Sequence, residues 1–120
     1  MTFTKKPKSK PKKQKSVAKL RDEAAVLLQK LVRMKASDEN GFATCVTCGK
    51  RQYYKEMDGG HFISRRWKAT LLMEENIHPQ CKGCNQHASG KPDDYALFMV
   101  DTSGIEMVRA LNDKKRSLCK

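Results

Sequence analysis

Apolar residues recur at three- and four-residue steps near the start of the chain. Charged and amide side chains separate the members of this pattern, which are Val17, Leu20, Ala24, Leu27, Leu28, Leu31 and Met34. This spacing predicts an amphipathic helix over residues 17–36. Ser16 is a suitable N-cap, and the polar residues 37–41 provide the turn that ends the helix. We interpret the apolar stripe as a packing surface rather than a ligand-binding one.

Shorter elements follow the helix. Residues 44–50 form a tight cysteine-containing turn, and residues 52–66 read as extended chain, with a turn or bulge at residues 58–60 because two adjacent glycines occur there. Residues 71–78 are the predicted partner strand of a two-stranded ribbon. The remaining pattern predicts helices over residues 84–89, 92–100 and 104–115, the second of which opens with Pro92. The predicted fold class is therefore small α+β.

The first 16 residues have a different composition. They contain two prolines, no acidic residue and seven lysines, namely Lys5, Lys6, Lys8, Lys10, Lys12, Lys13 and Lys15. Such a segment cannot bury an apolar face, so we expect a disordered basic arm over residues 1–16 and one domain over residues 17–120. The whole chain has 25 basic and 13 acidic residues, a formal charge of +12, which favours a polyanionic partner.

Four of the five cysteines fall into two pairs with metal-ligand spacing, Cys45 with Cys48 and Cys81 with Cys84. Two residues between thiolates allow one turn to direct both sulfurs at a tetrahedral ion, and Gly49 and Gly83 offer the backbone freedom that such turns use. The pattern predicts one structural zinc ion. A redox role would require a single pair near a βαβ pattern, and none is evident. A zinc ion with four sulfur ligands is closed to substrate, so any catalysis must come from other residues.

Histidine and asparagine side chains accompany the second cysteine pair. A zinc-closed pair would hold Asn85 at the start of a helix that faces the ribbon bearing His61. Phosphodiester hydrolysis needs a base for water and a divalent cation for the developing charge, roles that suit histidine and oxygen ligands respectively. The residues therefore suggest a hydrolytic site for nucleic acid. Asn85 could instead cap the helix, and His61 could be a half-buried strand residue.

Residues 20–90 resemble the HNH (ββα-metal) nucleases, and more narrowly the phage NinG/Rap recombination endonucleases. The resemblance is carried by the first cysteine pair, by Gly60-His61-Phe62 with Ser64-Arg65, and by the run from Asn76 to Asn85. It implies a zinc-stabilised HNH-like core, with His61 as general base, Asn76 orienting that base or fixing the hairpin, and Asn85 as a ligand of a catalytic Mg or Mn ion. It also implies metal-dependent cutting of branched DNA, such as a Holliday junction or a D-loop, in phage recombination.

One position departs from that family pattern, because many HNH sites have an acid immediately before the base histidine and this chain has Gly60. The nearest acid is Asp58, which on a regular strand would face away from His61. A bulge at the two glycines would bring both to one side, so Asp58 is a candidate ligand, with Asp93 or Asp94 as alternatives. His78 is interpreted as structural, and His87 as a solvated helix residue, with metal or phosphate binding as its alternative.

The expected partner is DNA, contacted through the basic arm and through Arg65, Arg66 and Lys68. Trp67 could stack on bases or pack in the core. A homodimer through the leading helix is one option, and folding of that helix onto its own core is the other. We expect no membrane segment and a DNA-associated location in the host cytoplasm. The main alternative function is a non-catalytic zinc module that binds DNA or RNA; a protein-interaction module ranks last because it leaves the charge unexplained.

Overall fold

The computed structural model describes residues 14–117, which form four helices and two small antiparallel sheets. In chain order the elements are α1 (Val17–Ala36), β1 (Phe42–Thr44), β2 (Arg51–Tyr53), β3 (Met57–His61), α2 (Lys68–Leu71), β4 (Ile77–Cys81), α3 (Pro92–Ser103) and α4 (Ile105–Lys114). The small α+β class is confirmed. Among the described helices, none combines the length and the apolarity that spanning a bilayer requires.

Helix α1 has the bounds that the apolar spacing predicts. The Ser16 hydroxyl accepts a hydrogen bond from the Lys19 amide at 3.2 Å, which confirms it as the N-cap. Of the two alternatives for the apolar stripe, folding onto the chain's own core is wrong for most of its residues. Ala25 and Val32 are the buried residues of α1, whereas most of the stripe remains exposed, Leu27 by 68% of its surface, and Ala24 and Leu28 are half-buried. Small side chains let the helix lie close to the sheet, and Gln29 meets Gly59 there.

Strands β3 and β4 form the ribbon that carries the functional residues. Their pairing is one-to-one, from Met57 opposite Cys81 to His61 opposite Ile77. The predicted bulge at Gly59 and Gly60 is therefore wrong, because an extra residue on one strand would break this register. The extended segment predicted over residues 52–66 is also interrupted, by a 3₁₀ turn at Tyr54–Glu56.

The predicted second strand begins too early in the chain. Residues 71–78 were expected to be extended, but a helical turn, α2, ends at Leu71, a 3₁₀ turn covers Glu74–Asn76 and β4 starts at Ile77. Local bonds outcompete the sheet here, because the Met73 amide donates to Thr70 and the Asn76 amide donates to Met73. The strand shifts towards the second cysteine pair as a result.

Two buried clusters hold these elements together. One surrounds the cysteines and includes Ala43 and Met57; the other joins α3 to α4 through Tyr95, Met99 and Leu111. The Tyr95 hydroxyl donates to the Gly60 carbonyl at 2.7 Å and lies 3.1 Å from His78 Nδ1. Helix α3 is thereby tied to β3 at the residue before His61.

Replacing Tyr95 by Phe should lower the free energy of unfolding by about 1–3 kcal/mol, because the Gly60 carbonyl and the His78 ring would lose a buried partner. Denaturant unfolding of the two proteins measures the difference. Tyr53→Phe removes the same hydroxyl from a side chain on an exposed strand and should change stability by less than about 0.5 kcal/mol. Equal effects of the two substitutions would contradict the assigned role of Tyr95.

Candidate metal centre and adjoining cleft

The four paired cysteines converge from two parts of the chain. Cys45 and Cys48 lie in the turn between β1 and β2, Cys81 ends β4, and Cys84 lies in a π-helical turn at Gly83–His87. All four Sγ atoms are within 4.8 Å of one another, and those of Cys48 and Cys81 are 3.7 Å apart. Tetrahedral zinc with bonds of about 2.3 Å separates its sulfur ligands by about 3.8 Å. The cluster could therefore hold a structural zinc ion.

Backbone bonds shape this cluster. The Cys45 amide donates to the Lys50 carbonyl at 2.8 Å, and the Gly49 amide donates to the Cys45 carbonyl at 2.9 Å. Gly49 has φ +80°, so the freedom expected of it is used; Gly83 is not among the residues with positive φ. The Val46 amide donates to the Pro79 carbonyl at 3.0 Å, which joins the first cysteine turn directly to β4.

The electrostatics of the thiols favour a bound cation. Burial raises the pKa of Cys45, but hydrogen bonds from Thr47 and from backbone amides outweigh it and lower that pKa to about 6. The Lys50 amide lowers the pKa of Cys48, yet burial and the neighbouring cysteine sulfurs raise it to about 12. Burial raises the pKa of Cys84 as well, so the cluster does not ionise at all four sulfurs by itself. A bound divalent ion would stabilise all four thiolates and would release the protons of the remaining thiols.

His61 faces a cleft of about 380 Å³ beside the ribbon. The side chains and backbone of four segments line it, namely Gln29, Gly59, His61, Phe62, Ser64, Arg65, Asn85, Ser89, Gly90, Pro92 and Tyr95. Nε2 of His61 lies 3.0 Å from the Leu71 carbonyl oxygen. A carbonyl only accepts, so Nε2 carries the proton in the neutral ring and Nδ1 keeps a free lone pair. The ring therefore has the tautomer of a base.

The surroundings of His61 keep its ring uncharged. Burial lowers the pKa of His61, the Leu71 carbonyl opposes this, and the positive charge of Arg65 lowers the pKa further, with a net value below the usual 6.5. The ring therefore stays neutral down to a lower pH than the ring of a free histidine does. This is the protonation state that proton abstraction from water requires.

Asn76 fixes the loop that follows His61. Its amide donates to the carbonyls of Ile63 and Thr70, both at 3.1 Å, and its Oδ1 accepts from the Ile63 amide at 2.7 Å. The side chain is fully buried. Of the two roles considered for Asn76, these bonds correspond to fixing the hairpin: Asn76 holds Thr70, whose neighbour Leu71 bonds the imidazole.

Asp58 and Asn85 meet beside the cleft. Asp58 Oδ2 accepts from Asn85 Nδ2 at 2.9 Å and from Gln86 Nε2 at 2.8 Å, and Asp58 Oδ1 lies 3.0 Å from Lys82 Nζ. Burial raises the pKa of Asp58, but these bonds lower it more, so the group is an ionised carboxylate. The bond from Asn85 to Asp58 uses Nδ2, so Oδ1 of Asn85 takes no part in it. Because β3 has no bulge, Asp58 lies on the strand face opposite His61 and does not line the cleft, so the Asp58–Asn85 pair adjoins the cleft through Asn85.

Gly60 has no room for the acid that many HNH sites carry before the histidine. A Cβ added there would overlap the side-chain oxygen of Gln80. Gln80 is fully buried and cannot easily move away, since its Nε2 donates to Thr47 Oγ1 at 3.1 Å and to the Gly90 carbonyl at 3.0 Å. The departure from the family pattern is therefore built into the packing of the ribbon.

The other titratable candidates lie elsewhere. Asp93 and Asp94 are exposed in the first turn of α3 and, like Asp58, do not line the cleft, but of these three acids Asp58 is the one that bonds the cleft residue Asn85. His78 packs between Tyr95 and Phe98, with ring centroids 5.9 Å and 5.0 Å away, as a structural residue would. His87 is exposed and outside the cleft lining. In residues 14–117, the four cysteines form the one group of three or more such side chains placed to hold a metal.

The predicted basic residues divide into three groups. Arg65 lines the cleft, while Arg66 and Lys68 are exposed next to it. Lys15 pairs with Glu23 at 2.9 Å, and the other six lysines of the arm, Lys5, Lys6, Lys8, Lys10, Lys12 and Lys13, lie outside the described residues. Cys119 lies outside them as well. Of the predicted DNA-contacting residues, those at 65–68 therefore form a basic surface at the cleft.

Trp67 joins this surface to the end of the chain, a link that sequence reasoning missed. The Arg66 guanidinium lies 5.4 Å from its ring centroid, and Lys115 Nζ lies 5.2 Å from it. The Lys114-Lys115-Arg116 run was the available signal. Gln29 was also missed: it lines the cleft from α1, and its Nε2 is buried without a partner among the described residues.

Comparison with known proteins gives one family. A family profile described as the bacteriophage lambda NinG protein matches residues 2–119. The chain is 35% identical to protein ninG of Salmonella phage P22 over 74 residues, which is 60% of this chain and 36% of that protein. It is 35% identical to protein ninG of Escherichia phage lambda over 65 residues, 53% of this chain and 31% of that protein. The match thus spans about a third of these relatives' length. No solved structure matches the chain.

The chain should bind one zinc ion per molecule, and Cys84→Ser should weaken binding by more than the roughly 10–100-fold that loss of an outer hydrogen bond costs a metal site. Metal analysis and the thiolate-to-cobalt absorption of the Co²⁺-loaded protein measure this. Cys119→Ser, which changes the cysteine outside the two pairs, should leave both signals unchanged. Retention of full metal affinity by Cys84→Ser would refute the four-cysteine site.

Proposed function

The chain belongs to the bacteriophage lambda NinG protein family, and from this membership and the cleft we propose that it is a metal-dependent DNA endonuclease. The observation that carries the proposal is the His61 ring, held by the Leu71 carbonyl in a cleft that Asn85 and Arg65 also line. The resemblance of residues 20–90 to HNH nucleases supports the same reading. Branched recombination intermediates, such as a Holliday junction or a D-loop, are the proposed substrates.

In this proposal His61 is the general base. Its Nδ1 takes a proton from the attacking water, while the Leu71 carbonyl stabilises the imidazolium that results through the Nε2 proton. Asn76 acts as a positioning residue, because it fixes the backbone around Thr70 and Ile63. Arg65 neutralises a phosphate oxygen at the wall of the cleft, and the exposed Arg66 and Lys68 contact neighbouring phosphates.

Asp58 and Asn85 are the residues that would hold a catalytic Mg or Mn ion. Their carboxylate and amide oxygens suit such an ion, which commonly uses one or two protein carboxylates and completes its shell with water and phosphate oxygens. When bound, it would stabilise charge on the scissile phosphate and the leaving oxygen. Lys82 must then release Asp58. The Lys82 side chain is 53% exposed and that of Asp58 is 16% exposed, so the ion pair is partly shielded from water, and the bound ion would have to offset its loss.

The alternative is a zinc module that binds DNA or RNA without cutting it. The observation that favours it is Asp58 itself, whose two oxygens already have three partners in Lys82, Asn85 and Gln86. In this reading those bonds are structural, the zinc ion holds the fold, and the basic surface at residues 65–68 provides the contact with phosphates. Cleavage assays separate the two functions.

Zinc-loaded protein with Mg or Mn should cut labelled four-way junctions and D-loops, and His61→Ala should slow cutting by about 10²–10⁴-fold without loss of DNA binding. Gel assays of cleavage and of binding, with EDTA as the metal-free arm, measure both quantities. His87→Ala is the matched control, since that histidine is exposed and outside the cleft. Binding without cutting by the wild type under either ion would establish the alternative function.

The pH profile of cleavage gives an independent test of the base. Only the neutral ring can take a proton, so the rate should fall as pH decreases through the pKa of His61, which lies below 6.5. Arg65→Gln removes a positive charge that lowers this pKa, and the acid limb should move to higher pH. Single-turnover cleavage rates of the wild type and of Arg65→Gln, each measured across the pH range, give the two acid limbs to be compared. An acid limb that stays in place in Arg65→Gln would contradict the assignment of His61 as the titrating base.

A further inference from the structure

Helix α1 carries two apolar faces, and its own fold uses the smaller one. Ala25 and Val32 are buried, whereas a line of larger side chains is exposed along the helix, and no element of residues 14–117 buries it. The exposed fractions are 71% for Val17, 51% for Leu20, 68% for Leu27, 48% for Leu31 and 46% for Met34, with Ala24 half-buried between them. We call these six residues the heptad seam.

The spacing of the heptad seam is that of a helix-pairing surface. Its members follow one another at steps of three, four, three, four and three residues, from Val17 to Met34. That alternation repeats every seven residues and keeps one line of side chains facing a second helix. Helix α1 has 20 residues, about 30 Å of length, and the seam runs along nearly all of it.

We propose that the heptad seam pairs with the same seam of a second copy of this chain, with the two α1 helices antiparallel. In that alignment Val17 meets the partner's Met34, Leu20 meets the partner's Leu31, and Ala24 meets the partner's Leu27. A two-fold axis between Ala24 and Leu27 repeats each contact. Every residue of the heptad seam therefore has a partner on the second helix, and neither end of the seam is left unpaired. The small Ala24 lies opposite a leucine in the two central layers.

Charges beside the seam select the antiparallel direction. Glu23 and Lys30 occupy equivalent flanking positions, seven residues apart. Antiparallel pairing places Glu23 near the partner's Lys30, and the two-fold axis creates the same pair a second time. Parallel pairing would instead bring Lys30 near the partner's Lys35, which already pairs with Glu74 of its own protomer, so that arrangement would give Lys30 no opposite charge there. Within one protomer Glu23 pairs with Lys15, but both side chains are largely exposed and can exchange partners.

The test is the mass of the full zinc-loaded chain by sedimentation across the micromolar range. The wild type should associate towards twice 13.7 kDa, and Leu27→Glu should weaken that association about tenfold or more, because a charge would enter both central layers. Val26→Glu is the matched control. It adds the same charge at a neighbouring exposed position, 58% exposed and outside the seam, and should dimerise like the wild type.

Charge variants test the direction of the helices. Lys30→Glu should weaken the dimer, and Glu23→Lys combined with Lys30→Glu should restore it, since the opposite charges then exchange places. A Lys30→Glu protein that dimerises more tightly than the wild type would indicate parallel helices and overturn the antiparallel arrangement. A wild type that stays at 13.7 kDa, or a Leu27→Glu protein that dimerises fully while folded by circular dichroism, would overturn the proposal itself.

This proposal does not rest on the nuclease function. Sedimentation measures association and does not depend on cleavage. His61→Ala should dimerise like the wild type because His61 lies in the cleft and outside the heptad seam. Failure of cleavage would therefore leave the dimer result unchanged, and a monomeric protein would leave the assignment of His61 unchanged.

Discussion

The arrangement of the four cysteine sulfurs is the constraint on which the rest of the structure depends. Cys81 is both a member of this cluster and the last residue of β4, where it pairs with Met57. Holding its sulfur beside those of Cys45 and Cys48 therefore fixes the register of the whole ribbon. A slip of one residue would turn every side chain of β4 to the opposite face and would move Ile77 away from His61.

The same constraint brings the cleft together. Asn85 follows Cys84 directly, and His61 ends the strand that Cys81 places, so both reach the cleft through the metal cluster. Two further side chains, to which no catalytic role is assigned, shape the ribbon beside His61. Gln80 fills the volume above Gly60, and Tyr95 bonds the Gly60 carbonyl. Buried hydrogen bonds of this kind position a site more rigidly than exposed ones can.

Local patterns in the sequence predicted the elements whose causes are local. The bounds of α1, its Ser16 cap and the start of α3 at Pro92 depend on spacing and on single residues. The errors arise where local turns and longer-range contacts act together. Short-range bonds at Thr70, Met73 and Asn76 replace the expected strand, and the Asn76 side chain secures that loop by bonding Ile63, thirteen residues away. Lys115 meets Trp67 only through the packing of α4 near α2.

The sequence left open whether the apolar stripe of α1 faces the chain's own core or a second copy, and there is a physical reason for this. Periodicity identifies the largest apolar stripe, but a close helix-to-sheet contact at Gly59 selects small side chains such as Ala25. An amphipathic pattern alone cannot distinguish an inward stripe from an outward one.

Asp58 is the point at which catalytic and binding functions diverge. In the metal-free chain its charge is balanced by Lys82, a long side chain with little to hold it, and by the amides of Asn85 and Gln86. A divalent ion would offer the carboxylate more charge than the ammonium does, at the cost of one partly shielded ion pair. Asn85 could keep its bond to Asp58 through Nδ2 and turn Oδ1 to the ion. The present bonds keep the carboxylate ionised on the strand face opposite His61, so the catalytic function requires the ion to reach the cleft through Asn85, whereas the binding function requires only the bonds already formed.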